Sequence, residues 1–295
     1  MITTLAPGRE GWPEVVDQLG AGAPTQLYVR GRRPLVELCA EPAVAIVGAR
    51  RGSRQGEEFA RMLGAGLGAA GVSVISGLAL GIDAAAHDGA LAAGGRTVAV
   101  LGCGIDRIYP RRNAALGERI AVHGAIVSEW GPGVEPAPWR FPVRNRLIAA
   151  LARVTVVVEA TRRSGALITA DHALGLGRDV LAVPGSAWSP LGEGVNALLR
   201  AGATPATSLD DVLDALGITT DTGRGPAPLP SVPGGAAGRA WRALRAEPST
   251  PDALALRLGV GGAELARALV TLELDGLLSV EDDGRLVALS GVGAE

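Results

Sequence analysis

All 28 Lys-or-Arg positions of this chain are arginine, a usage that GC-rich coding explains better than a need for bidentate phosphate contacts, but many of them gather directly behind short apolar runs, and that placement could do chemistry. In VAIVGARRGSRQGEEFARML the run closes at Gly48, and Arg50, Arg51, Ser53 and Arg54 precede a helical pattern. Free amides at a helix start beside guanidinium forks form an anion site, suited above all to phosphate. The dinucleotide fingerprint GxGxxG is missing, since this turn reads GARRGSRQG. A plain strand-to-helix turn with solvated arginines is the bland alternative, and three arginines within five residues favour the anion.

Four further segments carry similar chemistry. SGLALGIDAAAHDGAL sets Gly77 and Gly81 where a ligand could approach the backbone, and puts Asp83 and His87 four apart on one helical face. That pair suits a general base or metal ligands; Asp83 as a helix cap, or as the holder of one His87 tautomer, weighs more. LGCGIDRIYPRRNAAL adds Arg107, Arg111 and Arg112 around Tyr109, a ring that either stacks on a base or anchors the loop ahead of Pro110. SEWGPGVEPAPWRFPVRNRLIAAL presents Trp139, Arg140 and Phe141 from a proline-rich loop, then Arg144, Asn145 and Arg146 at a helix start with Leu147, Ile148 and Leu151 as its apolar face. Rings interleaved with arginines suit a ligand that offers phosphates and bases. The competing expectation is that one of Trp139 and Phe141 is buried and pins the loop. In VVVEATRRSGALITADHALGLGRDVLAVPG, Glu159 ends a run, Arg162 and Arg163 follow, and Ser164, Gly165 and Thr169 surround the next helix start.

Such residues act together only if a scaffold brings the ends of separate runs to one place. From residue 43, AVAIVGA, VSVISG, TVAVLG, AIVSEW, VTVVVEA and DVLAVPG alternate with helix-length spacers, the pattern of an α/β protein with a doubly wound parallel sheet. With 47% hydrophobic but only 3% aromatic residues, the core must be Ala, Val, Leu and Ile, as buried parallel strands allow. Ligands of such sheets sit beyond the carboxyl ends of the strands, so the arginine clusters should converge into a basic crevice despite a net charge of −2.

Residues 1–42 read as a short segment, one helix and an edge strand, packed on a main domain at 43–217. A Pro/Gly-rich linker at 218–235 follows, then three helical stretches and a hairpin at DDG, a winged-helix pattern over 236–291. From 231 onward six arginines face nine acidic residues, and the expected recognition helix offers only Arg267, which points to protein contact rather than duplex reading. Cys39 and Cys103 lie far apart with no CxxC, against a zinc site or disulfide and in favour of a reducing compartment. No basic-plus-apolar leader is present, and no apolar run nears the roughly 18 residues of a membrane span. A cytoplasmic protein with no membrane partner is expected.

Taken in order, GARRGSRQG, SGLALGIDAAAHDGAL, LGCGIDRIYPRRN, FPVRNRLIAAL, SGALITADHAL, GRDVLAVPG and GVNALLRAGA resemble the DprA/Smf family over roughly residues 26–213. The resemblance implies an extended Rossmann fold that binds single-stranded DNA without sequence preference, protects it, forms homodimers, and loads RecA during natural transformation and homologous recombination. It places the DNA pocket at Arg50, Ser76, Gly77, Phe141, Arg144, Asn145 and Arg146, with Ser164 and Thr169 at the rim. Arg51, Ser53, Arg54 and Arg162 join them from the clusters above. Where members often carry an aromatic before the first helical Gly, this chain has Gln55 before Gly56, so no stacking is expected there. The N-terminal helical domain common in members is expected to be missing. Dimer and RecA contacts would fall near Leu198, Leu199 and the helix at 209–216; an amphipathic helix covering the sheet is the alternative. No enzymatic activity, catalytic residue, cofactor or metal is implied. The rival is a nucleotide N-glycosidase using Glu129 or Glu159, but the PGGxGTxxE loop of such enzymes is replaced by PGSAW and SGALIT.

Overall fold

A computed structural model describes residues 2–40, 42–218, 234–274, 277–281 and 284–289. The chain divides into two compact units, Met1–Thr220 and Asp221–Glu295. The first begins with β1 (Ile2–Leu5), a 3-10 segment (Glu14–Gly22), β2 (Leu27–Gly31) and α1 (Leu35–Ala40). Then come β3 (Ala43–Val47), α2 (Arg54–Ala69), β4 (Ser73–Ser76), α3 (Ile82–Ala92), β5 (Thr97–Val100), α4 (Ala114–His123) and β6 (Ala125–Ser128). The unit continues with α5 (Arg140–Leu151), β7 (Val154–Val157), α6 (Gly165–Gly175), β8 (Asp179–Ala182), α7 (Gly192–Arg200), β9 (Thr204–Pro205) and α8 (Leu209–Ala215).

Each of the six apolar runs is a strand. They lie side by side and parallel in the order β6-β5-β4-β3-β7-β8, within a sheet that reads β1-β2-β6-β5-β4-β3-β7-β8-β9 among the described residues. Strands β3 to β7 are buried along their whole length, which is why their residues run apolar without alternation. One face is covered by α1, α5, α6, α7 and the 3-10 segment; the other by α2, α3, α4 and α8. Helices α2 and α3 approach so closely that a Cβ on Gly89 would lie 1.9 Å from the Arg61 carbonyl oxygen.

The N-terminal segment differs from expectation. Residues 27–31 are not an edge strand: β2 sits between β1 and β6, antiparallel to both, so the segment is woven into the sheet. It holds two helices rather than one, the 3-10 segment at Glu14–Gly22 and α1 after β2. Among the described residues no helix is long and apolar enough to cross a membrane.

The second unit holds α9 (Gly235–Ala246), α10 (Pro251–Leu258), α11 (Gly262–Leu274), β10 (Leu278–Val280) and β11 (Leu286–Ala288), the last two an antiparallel pair. Thr250 caps α10 ahead of Pro251, and Gly259 closes it with φ 64°. Trp241, Leu244, Leu254, Leu265 and Leu272 form the core of this winged-helix domain. Most of the expected linker, 219–233, and the Asp282–Asp283 turn lie outside the described residues.

Candidate functional site

The chain winds outward from β3 in both directions, through β4 on one side and β7 on the other, so β3 and β7 flank the topological switch point. A crevice is expected there, beyond the carboxyl ends of the strands. A cavity of about 460 Å³ occupies that place, lined by Arg50 after β3, Asp83 at the start of α3, Tyr109 after β5, the first turns of α5, and Ser164 to Ala166 with Thr169 at the start of α6.

Its floor is a buried charge. Arg144 is 4% exposed. Its Nη1 donates to the Gly77 carbonyl at 2.7 Å and to the Val100 carbonyl, and its Nε donates to Asn145 Oδ1 at 3.2 Å. Glycine at position 77 makes room for this charge, because a Cβ there would stand 2.5 Å from the guanidinium and displace it. Burial lowers the Arg144 pKa to about 10, opposed by the Asp83 charge, and leaves it cationic at neutral pH. Asp83 Oδ2 accepts from the amides of Gly77 (3.1 Å) and Ala79 (3.4 Å). Desolvation raises its pKa, opposed by Arg144 and those amides. Between them Leu78 is held at φ 56°, a conformation that costs a residue with a Cβ of the order of 1 kcal/mol or more. Asn113 secures this turn, its Nδ2 donating to the carbonyls of Leu78 (3.0 Å) and Ala79 (3.1 Å).

Asp83 thus pins a loop and does not hold His87. His87 Nδ1 lies 2.6 Å from Thr97 Oγ1, whose own proton goes to the Val74 carbonyl at 2.7 Å. Thr97 must therefore accept, the His87 proton sits on Nδ1, and Nε2 is buried with no hydrogen-bond partner among the described residues. Burial pushes the ring down to about 3, helped by Arg144. Among the described residues no group of three His, Cys, Asp or Glu side chains could hold a metal.

The thirteen residues singled out from the sequence separate into groups. Arg50, Phe141, Arg144, Asn145, Ser164 and Thr169 line the crevice, and Gly77 lines a small adjoining cavity with Arg50 and Arg144. The Arg50 guanidinium lies 5.2 Å from the Phe141 ring centroid, and the Tyr109 ring centroid lies 5.5 Å from it with the two rings tilted by 33°. Phe141 belongs to the first turn of α5 rather than to a loop, since the helix starts at Arg140. Asn145 Nδ2 donates to the Gly165 carbonyl at 2.9 Å, and Ser164 caps α6 by accepting from the Ala166 amide. Three residues have their polar groups committed inside the protein. Ser76 Oγ donates to the Ile46 carbonyl at 2.6 Å. Ser53 caps α2 and donates to Glu159 Oε1 at 2.6 Å. Arg146 is forked onto Glu129 at 2.9 and 2.6 Å. Arg51, Arg54 and Arg162 are exposed outside the lining. Leu198 and Leu199 are partly buried against the sheet core.

Six arginines, namely Arg50 and Arg51 after β3, Arg111 and Arg112 after β5, and Arg162 and Arg163 after β7, are exposed at this edge and form no ion pair among the described residues. Sequence reading missed Asn113 as the brace of the 77–79 turn; an Asn directly behind Pro-Arg-Arg is the one signal that marks it.

A family model described as DNA recombination-mediator protein A matches residues 3–217, and one described as DprA winged helix domain matches 224–284. The chain is 40% identical over 303 residues to a putative DNA processing protein DprA of Mycobacterium tuberculosis, covering 98% of this chain and 78% of the relative. It is 44% identical over 191 residues to the DNA processing protein DprA of Streptococcus pneumoniae, covering 65% and 66%. The solved structure of Streptococcus pneumoniae DprA superposes with a TM-score of 0.68 at 40% identity, covering 72% of this chain and 74% of that one. The DNA processing protein A of Helicobacter pylori, whose structure is described as giving insight into a single-stranded DNA binding mode, superposes with 0.65 at 30% identity, covering 73% and 95%.

Proposed function

The chain belongs to the DNA recombination-mediator protein A (DprA/Smf) family, and from that premise we propose that its carboxyl-edge crevice binds single-stranded DNA without regard to base sequence and that the protein, as a homodimer in the cytoplasm, passes the strand to the recombinase RecA during natural transformation and homologous recombination. One observation carries the DNA step: six exposed arginines that form no ion pair among the described residues share the sheet edge of a crevice with an aromatic wall and a buried cationic floor. Phosphates meet the guanidinium groups and the start of α6, while a base packs on Phe141 and Tyr109. Nothing in this arrangement selects a base edge, so affinity comes from charge and stacking. The related Helicobacter pylori protein supports the ligand class. The family's description as a recombination mediator supports the RecA step. The protein acts here as a binder rather than a hydrolase, a reading supported by the hydrogen bonds that occupy Glu129 and Glu159.

Fluorescence anisotropy with labelled single-stranded and duplex oligonucleotides tests the DNA step. Wild type should prefer the single strand, and an Arg50→Ala/Phe141→Ala variant should lose about tenfold or more, the cost of one stacked base and one charge-assisted contact. An unchanged affinity in the variant would move the site elsewhere. Addition of the protein should shorten the lag of RecA assembly on single-stranded DNA; an unaltered lag would remove the RecA step alone. Sedimentation equilibrium reads the dimer directly.

A further inference from the structure

Among the nine aromatic residues of the chain, the ones strongly exposed are Tyr109 (43%), Trp139 (58%) and Trp188 (96%). All three stand in connections that leave the carboxyl edge of the sheet, after β5, β6 and β8. Tyr109 lines the crevice, whereas Trp139 and Trp188 lie outside its lining and follow β6 and β8, the two strands at opposite ends of the parallel set. Strands β6 and β8 are five places apart in the sheet, a span of roughly 24 Å at about 4.8 Å per strand.

Neither outer ring hangs on a loose loop. Trp139 opens α5, with the Trp130 ring edge-on at 6.5 Å and the Arg140 guanidinium 4.9 Å from its centroid. The Trp188 loop is tied by Ser189 N to the Ser186 carbonyl at 3.1 Å and by the Asn196 amide, which clasps the Gly185 backbone at both its N–H and its carbonyl. A hydrogen-bonded loop that holds an indole almost wholly in water forgoes the burial that normally places Trp inside. The exposed arginines lie between the two rings along the same edge.

Resting on the single-stranded DNA reading above, we propose that Trp139 and Trp188 are stacking platforms that extend the bound strand beyond the crevice on either side, each taking one unpaired base. The crevice anchors the middle of the strand, and the outer rings set the length of strand that binds with full affinity. Flat aromatic faces accept any base, so the track lengthens the footprint without adding sequence preference.

The test is affinity of the full chain for oligothymidylates lengthened one nucleotide at a time, with Trp139→Ala, Trp188→Ala, their phenylalanine counterparts and Arg50→Ala/Phe141→Ala. For wild type, affinity should rise with length until both rings are covered. Each alanine variant should bind the shortest strands normally, lose about tenfold on long ones, and reach its plateau at a shorter length. Phenylalanine should restore most of the loss, and Trp188→Phe should reduce the quenching of intrinsic fluorescence by bound thymine. Alanine variants that bind every length like wild type, while Arg50→Ala/Phe141→Ala fails at all lengths, would overturn the track and leave the crevice standing. The same holds if they alter only the oligomeric state, which would make the indoles a protein contact. Wild type that binds no single strand overturns the crevice reading itself.

Discussion

Arg144 carries its charge where water does not reach, and three acceptors depend on it: the carbonyls of Gly77 and Val100 and the Asn145 side chain. Replacing it with Ala leaves those groups and the Asp83 carboxylate without their cation, which should cost about 3–5 kcal/mol in urea unfolding. Loss of DNA binding in that variant would then report a damaged crevice floor; a stability near wild type would show that the guanidinium is not structural. Arg50, exposed beside Phe141, is the arginine whose removal reads ligand contact alone. The sequence shows Arg50, Arg144 and Arg146 as equals, and only packing separates one facing the ligand, one buried and one forked onto Glu129. His87 makes a second residue-scale prediction. Its ring is held neutral with a pKa near 3, so its contribution to stability is complete above the unfolded value of 6.5 and is lost as pH falls from there toward 3. The loss should reach on the order of 4 kcal/mol. Asp83, with its pKa raised, acts in the opposite sense, its contribution fading as pH rises. Comparing wild type with His87→Gln in thermal melts between pH 6.5 and 4 isolates the ring: the variant's acid limb should be flatter, and equal slopes would refute the assignment.

At the scale of elements, the site depends on how tightly α2 and α3 hold the turns after β3 and β4. Contact of backbone on backbone at Gly89 leaves no room for a methyl, so Gly89→Ala should destabilise by about 1–3 kcal/mol or force the helices apart. Gly165→Ala, where a Cβ would meet nothing within 4 Å, should be near neutral, and a matching loss at both positions in thermal unfolding would show that glycine content rather than close approach is at work. Six strands were legible because burial on both faces writes itself as unbroken apolar runs. The N-terminal strands were not: β1 reads ITTL with three of four residues exposed, and β2 alternates buried and half-buried, so neither shows a run. The start of α5 was hidden by Pro142, which suggests a loop yet is tolerated in a first turn, where amides need no intrahelical partner.

At the scale of the whole molecule, net charge conceals the ligand class. A chain of −2 overall concentrates along one sheet edge six arginines that form no ion pair among the described residues, while pairing others elsewhere, as Arg30 with Glu118 and Arg119 with Asp88. The motif order identified the family and the parallel sheet predicted the convergence; which arginines stay free depends on carboxylates distant in sequence and was not legible. Because the crevice is built wholly from the first unit, deletion of 221–295 should leave single-strand affinity unchanged, and a drop would assign DNA contacts to the winged helix. The arginine edge also fixes a salt dependence. Each phosphate neutralised on a single strand contributes about 0.7 to the slope of log affinity against log salt, so six contacts give a slope of about −4. Arg162→Ala/Arg163→Ala should make the slope shallower by about 1.4 while lowering affinity at low salt, because those contacts release counterions that no other residue replaces. The crevice variant Phe141→Ala should lower affinity at every salt concentration and keep the slope, since an aromatic stack releases no ions. If the two variants changed the slope alike, binding would not divide into an electrostatic edge and a stacking wall, and the crevice would have to hold the strand in some other way.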